Sequence, residues 1–206
     1  VRRHGAELHQ EIHDGLSRDG LAAVAATPRI ARAVDALTGR TPIYVPQPTG
    51  LHLPFLPAHE FYDDFRAPWM DQLEARAPAI TAELEGLLAE DGQGFAPYVA
   101  YPPGTPVNQW QELNHSDRWA AFLLWKDGAM QQDNCARCPV TATTVLEMPQ
   151  IDIPNRAPAV FFSLLRPRTR IPPHTGVTNA RLIVHLPLIV PPGCGFRVGG
   201  AVREWV

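Results

Sequence analysis

The chain has 206 residues, of which 45% are hydrophobic and 19% are charged, and its formal net charge at pH 7 is −3. This composition is typical of a globular protein, and the length allows one good-sized core or one core with a helical appendage. Lys and Arg are neither in excess nor clustered, so nucleic acid is excluded as an expected partner. The sequence has no run of 18 apolar residues and therefore predicts no membrane span.

Residues 1–40 are predicted to form an N-terminal helical segment. Apolar residues recur near helical spacing from Leu8 to Leu37, and the breaks at Gly20 and Pro28 favour two short helices over one long helix. Three histidines of this segment recur at intervals of five and four residues: His4, His9 and His13. Because their neighbours are polar, a solvated helix face is favoured over a metal site.

Residues 41–94 are predicted to form a Pro-rich strap and a helix that pack on the domain that follows. Prolines recur from Pro42 to Pro57, and each one removes a backbone donor and fixes φ. This strap is therefore expected to pack by its side chains and not as a central strand. The helix is predicted from about Pro68 through Ala89, where apolar residues recur at helical spacing.

Beyond residue 94 the sequence predicts a mainly β domain over residues 95–206. Short runs rich in Val, Thr, Phe and Ile, bounded by Pro and Gly, favour antiparallel sheets. The predicted strands are Trp119–Trp125, Val140–Leu146, Ala159–Leu165, Arg181–Val190 and Gly195–Val198. Pro187 argues for an edge or bulged position in the fourth of them.

The three cysteines, Cys135, Cys138 and Cys194, are too few for a disulfide framework, and their odd count leaves at least one thiol. A reducing compartment fits this usage, and a cytoplasmic location is expected. Cys135 and Cys138 have the spacing of a redox pair or of half a zinc site. Since no second CxxC or adjacent His pair accompanies them, buried or loop thiols are the favoured interpretation.

The segment from Phe161 to Pro191 carries the candidate site. His174 follows a Pro-Pro kink between two apolar runs, a position from which an imidazole can point into a barrel mouth. Arg181 and His185 lie four residues apart, so on a regular strand they share a face. A buried Arg and a buried His on one face require an anionic partner to compensate their burial. This pair therefore predicts an anion site.

His174, Arg181 and Ser163, a serine of the same segment, also have plain structural interpretations. His174 would cap a neighbouring carbonyl, Arg181 would form a surface salt bridge, and Ser163 would be a solvent-facing strand residue. His115 lies in a polar loop before a strand and is a weak candidate for the substrate side of the site. Three tryptophans are predicted to form core or pocket wall: Trp110, Trp119 and Trp125.

Several motifs of the segment occur in the order that one known family shows. They are Ser163, His174-Thr175-Gly176, Asn179-Ala180-Arg181-Leu182 and His185-Leu186, with further matches at Phe122–Gly128, Cys138-Pro139, Thr141–Glu147, Pro192–Cys194 and Glu204-Trp205. In these positions the chain resembles the aspartyl/asparaginyl β-hydroxylase family. Because several ordered motifs match over about residues 95–206, the resemblance is specific.

This resemblance implies a double-stranded β-helix, the cupin-like jelly roll, and a dioxygenase that uses Fe(II) and 2-oxoglutarate. Many such enzymes carry a carboxylate ligand two residues after the first histidine, where this chain has Gly176. The family is similar in having glycine there and in binding iron through two histidines, so the resemblance makes His174 the catalytic iron ligand. It also implies that Ser163 contacts the distal carboxylate of 2-oxoglutarate, that His185 contacts this cosubstrate, and that Arg181 binds a carboxylate of cosubstrate or substrate.

The implied reaction uses molecular oxygen to hydroxylate the β-carbon of an aspartyl or asparaginyl residue, in a peptide or in an acidic small molecule. Ile183 stands where family members often carry a further arginine, which leaves the substrate open. A lipid A acyl-chain hydroxylase is an alternative within the resemblance, and the lack of apolar membrane-associating segments disfavours it. A degenerate relative, or a non-catalytic jelly-roll module that binds or scaffolds, is an alternative of another class.

The resemblance further implies that the second iron histidine and the main 2-oxoglutarate arginine fall beyond the point that matches Val206. A single histidine does not hold Fe(II) usefully. We therefore expect an incomplete active site that lacks its C-terminal strands, in a chain that is a fragment or a processed form, as its start without Met also indicates.

Overall fold

The structure is a computed structural model that describes residues 2–20 and 22–205. Helices account for 33% of the chain and strands for 16%, so the predicted sheets and helices are both present, but strands do not predominate over the chain as a whole. The sheets are antiparallel and open. The jelly-roll barrel stays a prediction.

The described residues contain six α-helices and a short 3₁₀-helix at Asn108–Trp110. The α-helices are α1 (Arg2–Arg18), α2 (Ala22–Ala25), α3 (Pro28–Leu37), α4 (Pro68–Ala89), α5 (Gln132–Arg137) and α6 (Pro139–Leu146). The predicted bounds of α4 are confirmed. Pro28 begins α3 at a position where a missing N–H costs nothing, which confirms the predicted break at this residue.

Six β-strands are found in the same residues: β1 (Ala96–Pro97), β2 (Trp119–Lys126), β3 (Ala129–Met130), β4 (Val160–Leu165), β5 (Gly195–Val198) and β6 (Ala201–Glu204). The predictions of β2, β4 and β5 are confirmed within one residue at each end. The strand predicted at Val140–Leu146 is wrong, because this segment is α6. The strand predicted at Arg181–Val190 is also wrong, because this segment is irregular and belongs to no strand of the described residues.

The chain divides into two compact units. One comprises the described residues of 1–47, 55–62 and 192–206, and the other comprises residues 48–54 and 63–191. The first unit contains α1 to α3 and the β5–β6 hairpin. Within this unit the Glu60 carboxylate accepts hydrogen bonds from Arg32 (2.6 Å) and from the backbone N–H of Gly200 (2.8 Å), which ties α3 to the hairpin turn.

The second unit is built around a four-stranded antiparallel sheet in which β2 pairs with β1, β3 and β4. Residues opposite each other on β2 and β4 include Trp119 and Leu165, Ala121 and Ser163, and Phe122 and Phe162. Because side chains alternate along a strand, Phe122 and Phe162 face one side, while Trp119 and Ser163 face the other.

The main core lies on the first of these sides. Phe122 and Leu124 are fully buried, and they pack with Phe162 against Ile80 and Leu87 of α4 and against residues of α5 and α6. A smaller cluster of Val99, Leu113 and Trp119 lies on the other side, covered in part by Tyr101, Trp110 and Ile171. This second side carries the candidate site.

The start of α6 explains why a Val- and Thr-rich segment forms a helix. Pro139 is its first residue, and the Glu83 carboxylate of α4 accepts hydrogen bonds from the N–H groups of Val140 (2.7 Å) and Thr141 (2.9 Å). These are two of the donors that every helix leaves unpaired at its N-terminus. Glu83 therefore supplies the cap from another helix, which no pattern within residues 139–146 reveals.

No described helix is both long and apolar enough to cross a bilayer.

Candidate functional site

His174 is exposed and lies in an extended segment outside the sheet. Its Nδ1 is 2.9 Å from the carbonyl oxygen of Pro172. Because a carbonyl oxygen only accepts, Nδ1 carries the ring hydrogen and Nε2 keeps its lone pair. The capping interaction considered for this residue is thus present, and it leaves the other nitrogen in the form that binds a metal ion.

Ser163 lies on β4 with an exposed side chain. The indole Nε1 of Trp119, on the neighbouring strand, donates a hydrogen bond of 3.0 Å to its hydroxyl oxygen. Ser163 is therefore no isolated strand serine, because its oxygen is held by a buried aromatic residue that is 6% exposed.

Arg181 is half-buried and lies close enough to Tyr98 to influence it electrostatically. Burial raises the pKa of the Tyr98 phenol, and the Arg181 charge partly opposes this shift. The centroid of the Tyr98 ring lies 4.2 Å from the ring centroid of Trp119 and 5.0 Å from that of Phe161. The Arg181 charge therefore acts on a ring that packs against Trp119, the hydrogen-bond partner of Ser163.

His185 lies farther along the same segment. The residue is exposed, and partial desolvation lowers the pKa of its imidazole, which favours the neutral form. Since the segment is not a regular strand, the expectation that Arg181 and His185 share a strand face is not met.

A row of aromatic rings joins the predicted site residues. The Trp110 ring lies 5.1 Å from the His174 imidazole on one side and 6.0 Å from the Trp119 ring on the other. Trp119 in turn contacts Ser163 and Tyr98. His174 and Ser163 therefore border one aromatic surface, and the Arg181 charge acts on its Tyr98 ring. We call this surface the aromatic row and define it as Tyr98, Trp110 and Trp119.

The sequence predicts Trp110 and Trp119 only as core or pocket wall, and no pattern in it indicates Tyr98. Trp125 is core, since it is 6% exposed and packs with Phe122 and Leu124. Because side chains alternate along a strand, the sequence indicates which face of β2 carries Trp119. It identifies Ser163 as the neighbour of Trp119 only when the pairing of β2 with β4 is known.

The chain segment after His174 is held by the strap. The N–H groups of Thr49 and Gly50 donate to the carbonyl oxygens of Gly176 (3.0 Å) and Val177 (2.9 Å). The side chain of Asn179 pairs with both backbone groups of Leu53, at 2.8 Å each. The Gly176 position is not crowded, because a Cβ there would meet only the Thr178 carbonyl oxygen, at 3.6 Å.

Two of the other histidines, His115 and His9, have structural partners. The Nε2 of His115 lies 2.8 Å from the Tyr101 carbonyl oxygen, which commits this exposed ring to its own loop. The prediction of a solvated face is wrong for His9, whose side chain is 12% exposed and contacts Thr38 and Arg40. His4 is exposed, as predicted.

Cys135 and Cys138 are buried thiols, which confirms the favoured interpretation of their spacing. Burial raises the pKa of both thiols, that of Cys138 to about 11. At neutral pH both are therefore protonated, which suits packing and not nucleophilic or metal chemistry.

The residues present fit an iron site in part. His174 offers one nitrogen with the correct tautomer. Within residues 2–20 and 22–205, no three His, Cys, Asp or Glu side chains form a group that would hold a metal ion. The described residues thus supply one ligand, and the remainder of a metal site is not formed among them.

A protein-family model described as "Aspartyl/Asparaginyl beta-hydroxylase" matches residues 74–206. The chain belongs to the aspartyl/asparaginyl β-hydroxylase family. This confirms the resemblance found in the sequence. The β-hydroxylase match includes all four predicted site residues and the aromatic row.

Curated relatives of this β-hydroxylase-family chain include a lipid enzyme. The chain is 32% identical over 142 residues to human "Aspartyl/asparaginyl beta-hydroxylase", and this match covers 67% of the chain and 18% of the relative. It is 30% identical over 180 residues to mouse "Aspartate beta-hydroxylase domain-containing protein 1" (86% of the chain, 47% of the relative). It is 29% identical over 148 residues to "Ornithine lipid ester-linked acyl 2-hydroxylase" of Rhizobium tropici (70% and 48%). The chain thus spans less than half the length of these relatives.

Proposed function

We propose that the chain belongs to a hydroxylase that uses Fe(II), 2-oxoglutarate and molecular oxygen to hydroxylate the β-carbon of an aspartyl or asparaginyl residue, or of a similar acidic substrate. The observation that carries this proposal is that His174 and Ser163 contact one aromatic row, on which the Arg181 charge acts. Membership of the β-hydroxylase family supports it.

In this proposal His174 binds the iron through Nε2, and its Nδ1–H bond to the Pro172 carbonyl keeps the ring in the required tautomer and orientation. The bound metal would supply the activation of oxygen that amino-acid side chains do not provide. The protein then has to bind and orient the two organic molecules and keep water away from the reacting carbon.

The anion-binding groups have separate tasks. Ser163 donates its hydroxyl hydrogen to a carboxylate, and Arg181 supplies the positive charge that compensates it. His185 is neutral at pH 7, because burial lowers its pKa, so it donates an N–H without adding charge. The aromatic row forms an apolar wall that reduces access of water.

The test is turnover by the full-length protein loaded anaerobically with Fe(II). We expect 2-oxoglutarate to be converted to succinate when oxygen and an Asp- or Asn-containing acidic peptide are added, with a gain of one oxygen atom in the peptide by mass spectrometry. His174→Ala should lose this turnover. Turnover retained by His174→Ala would contradict the ligand assignment. Binding of 2-oxoglutarate without conversion of any substrate would favour the non-catalytic binding module.

A second candidate is the hydroxylation of an ester-linked acyl chain. It is favoured by the Rhizobium tropici relative and by three exposed apolar residues next to Arg181: Leu182 (58% exposed), Ile183 (70%) and Val184 (51%). Such a surface suits contact with an acyl chain better than contact with an acidic peptide. The same assay with an ester-linked acyl lipid in detergent micelles distinguishes the two, because a hydroxylated acyl product together with an unmodified peptide would replace the first candidate.

A further inference from the structure

We propose that Trp119 is a positioning residue that fixes the Ser163 hydroxyl as a hydrogen-bond donor to a carboxylate of the bound ligand. This inference rests on the proposed function, because it names how one wall of that same site recognises the distal carboxylate of 2-oxoglutarate. Trp119 does not touch the ligand in this scheme, and it acts through Ser163.

Trp119 and Ser163 lie close together because β2 and β4 are paired. Ala121 lies opposite Ser163 across β2 and β4, and Trp119 is two residues from Ala121 on the same face. Trp119 and Ser163 are therefore diagonal neighbours on the side of the sheet that is remote from the main core. The bond of 3.0 Å from Nε1 to Oγ spans this diagonal.

The Ser163 hydroxyl has one hydrogen to donate, and Trp119 does not accept it. An indole nitrogen can only donate, so the Ser163 oxygen is the acceptor of this bond. The single hydroxyl hydrogen of Ser163 must then point elsewhere, and nowhere in residues 2–20 and 22–205 does a protein acceptor receive it. Because Ser163 is exposed, this hydrogen is free to rotate to the open side of the sheet, where an acceptor such as a carboxylate oxygen can approach.

The hydrogen bond from Trp119 both fixes the position of the Ser163 oxygen and polarises its hydroxyl group. Trp119 is only 6% exposed, and its ring is held between Tyr98 at 4.2 Å and Trp110 at 6.0 Å. A hydroxyl that already accepts one hydrogen bond is a stronger donor of the next. Fixing the oxygen before the ligand arrives also avoids part of the entropy cost of binding.

The charge near the pair has the right sign for an anion. Arg181 lies close enough to Tyr98 to influence its pKa, and the Tyr98 ring contacts Trp119 and also Phe161, which lies two residues before Ser163 on β4. A carboxylate that accepts from Ser163 would therefore lie near a guanidinium. A neutral ligand group would gain less from this position.

The experiment compares 2-oxoglutarate with pyruvate, a keto acid that keeps the metal-chelating keto acid end and lacks the distal –CH2–COO− portion. Binding of 2-oxoglutarate and of pyruvate to the full-length protein, loaded anaerobically with Fe(II), is measured by isothermal titration calorimetry. Trp119→Phe keeps an aromatic ring but removes the donor. We expect it to weaken 2-oxoglutarate about tenfold, the size of one charge-assisted hydrogen bond, and to leave the affinity for pyruvate unchanged.

The matched control is Trp125→Phe, which makes the same chemical change on the same strand at an equally buried tryptophan of the main core. It should change neither affinity. A double-mutant cycle then tests the route, because Trp119→Phe should add no further loss in the Ser163→Ala background if Trp119 acts through this hydroxyl.

Three outcomes would overturn the inference. One is a Trp119→Phe variant that binds 2-oxoglutarate as the unaltered protein does, and another is one that weakens both keto acids equally, which indicates a purely structural role. If Trp119→Phe does not fold by near-ultraviolet circular dichroism, Ser163→Ala decides, since unchanged 2-oxoglutarate affinity in this variant is the third. If the unaltered protein binds no 2-oxoglutarate, the proposed function fails as well, whereas the first three outcomes leave it standing.

Discussion

Two histidines show how the partner of one ring nitrogen sets the chemistry of the other. In His174, Nδ1 donates to the Pro172 carbonyl, which leaves the Nε2 lone pair for a ligand. In His9, Nε2 lies 2.7 Å from the Arg40 guanidinium, which can only donate, so Nε2 is the acceptor and Nδ1 carries the hydrogen. That hydrogen points to the Thr38 hydroxyl, at 3.4 Å. The His9 ring is therefore fully used inside the first unit.

This arrangement predicts acid sensitivity of the helical segment. Burial and the neighbouring Arg40 and His13 lower the pKa of His9 below 6.5, while Asp35, whose Oδ1 is 3.6 Å from Nδ1, partly opposes this shift. The unfolded chain then binds more protons at His9 than the folded chain does. Stability is highest above pH 6.5 and is lost as the pH falls from there through the folded pKa.

Urea unfolding of the chain and of His9→Gln at about pH 7.5 and pH 5.5, either side of the ordinary histidine pKa, measures this effect. We expect the unaltered chain to lose more stability than His9→Gln between these pH values, because glutamine offers an acceptor that does not titrate. An equal loss in both proteins would show that His9 is not responsible.

At the scale of elements, local patterns identified α4, β2 and β4 but not α6. The Val and Thr residues of 139–146 favour a strand by propensity, and the helix forms because its first turn is capped from α4. The Thr141 hydroxyl also donates to Glu83, at 2.6 Å. The contact that decides the structure of this segment thus lies 57 residues away in sequence.

Loss of this cap should destabilise the second unit. We expect Glu83→Ala to lower the free energy of unfolding by about 1–2 kcal/mol, because it leaves helix donors without an acceptor. Glu83→Gln should lose less, since its amide oxygen still accepts one bond. The measurement is urea denaturation, with Glu85→Ala at an exposed position of the same helix as the control. Equal losses in Glu83→Ala and Glu85→Ala would contradict the capping role.

The irregular segment of residues 181–190 shows a second limit of local patterns. Its apolar content suggested a strand, but it makes no ladder in the described part of the chain, and Pro187 lacks a donor for one. Leu186 and Leu188 instead pack against the main core. The segment is held by side chains, and its residues 182–184 remain exposed.

For the molecule as a whole, stability should follow burial and not hydrophobicity alone. Leu124 is fully buried in the main core of the second unit, while Leu182 is 58% exposed in the same unit. Leu124→Ala is expected to cost about 2–5 kcal/mol of unfolding free energy, and Leu182→Ala less than about 0.5 kcal/mol. Urea denaturation followed by circular dichroism compares the two. A cost for Leu182→Ala near that of Leu124→Ala would show that residues 181–190 pack more closely than the structure describes.

The amino-acid sequence is sufficient to identify the family, to nominate the residues of the candidate site, and to predict the elements whose patterns are local, such as the apolar periodicity of α4 and the strands on either side of residue 140. The tertiary structure decided which residues meet. The Trp119–Ser163 bond joins residues 44 apart, and the Glu83 cap acts across a similar distance. Such contacts depend on strand register and helix packing, which arise from the burial of the whole core, and residues close in sequence carry no record of them.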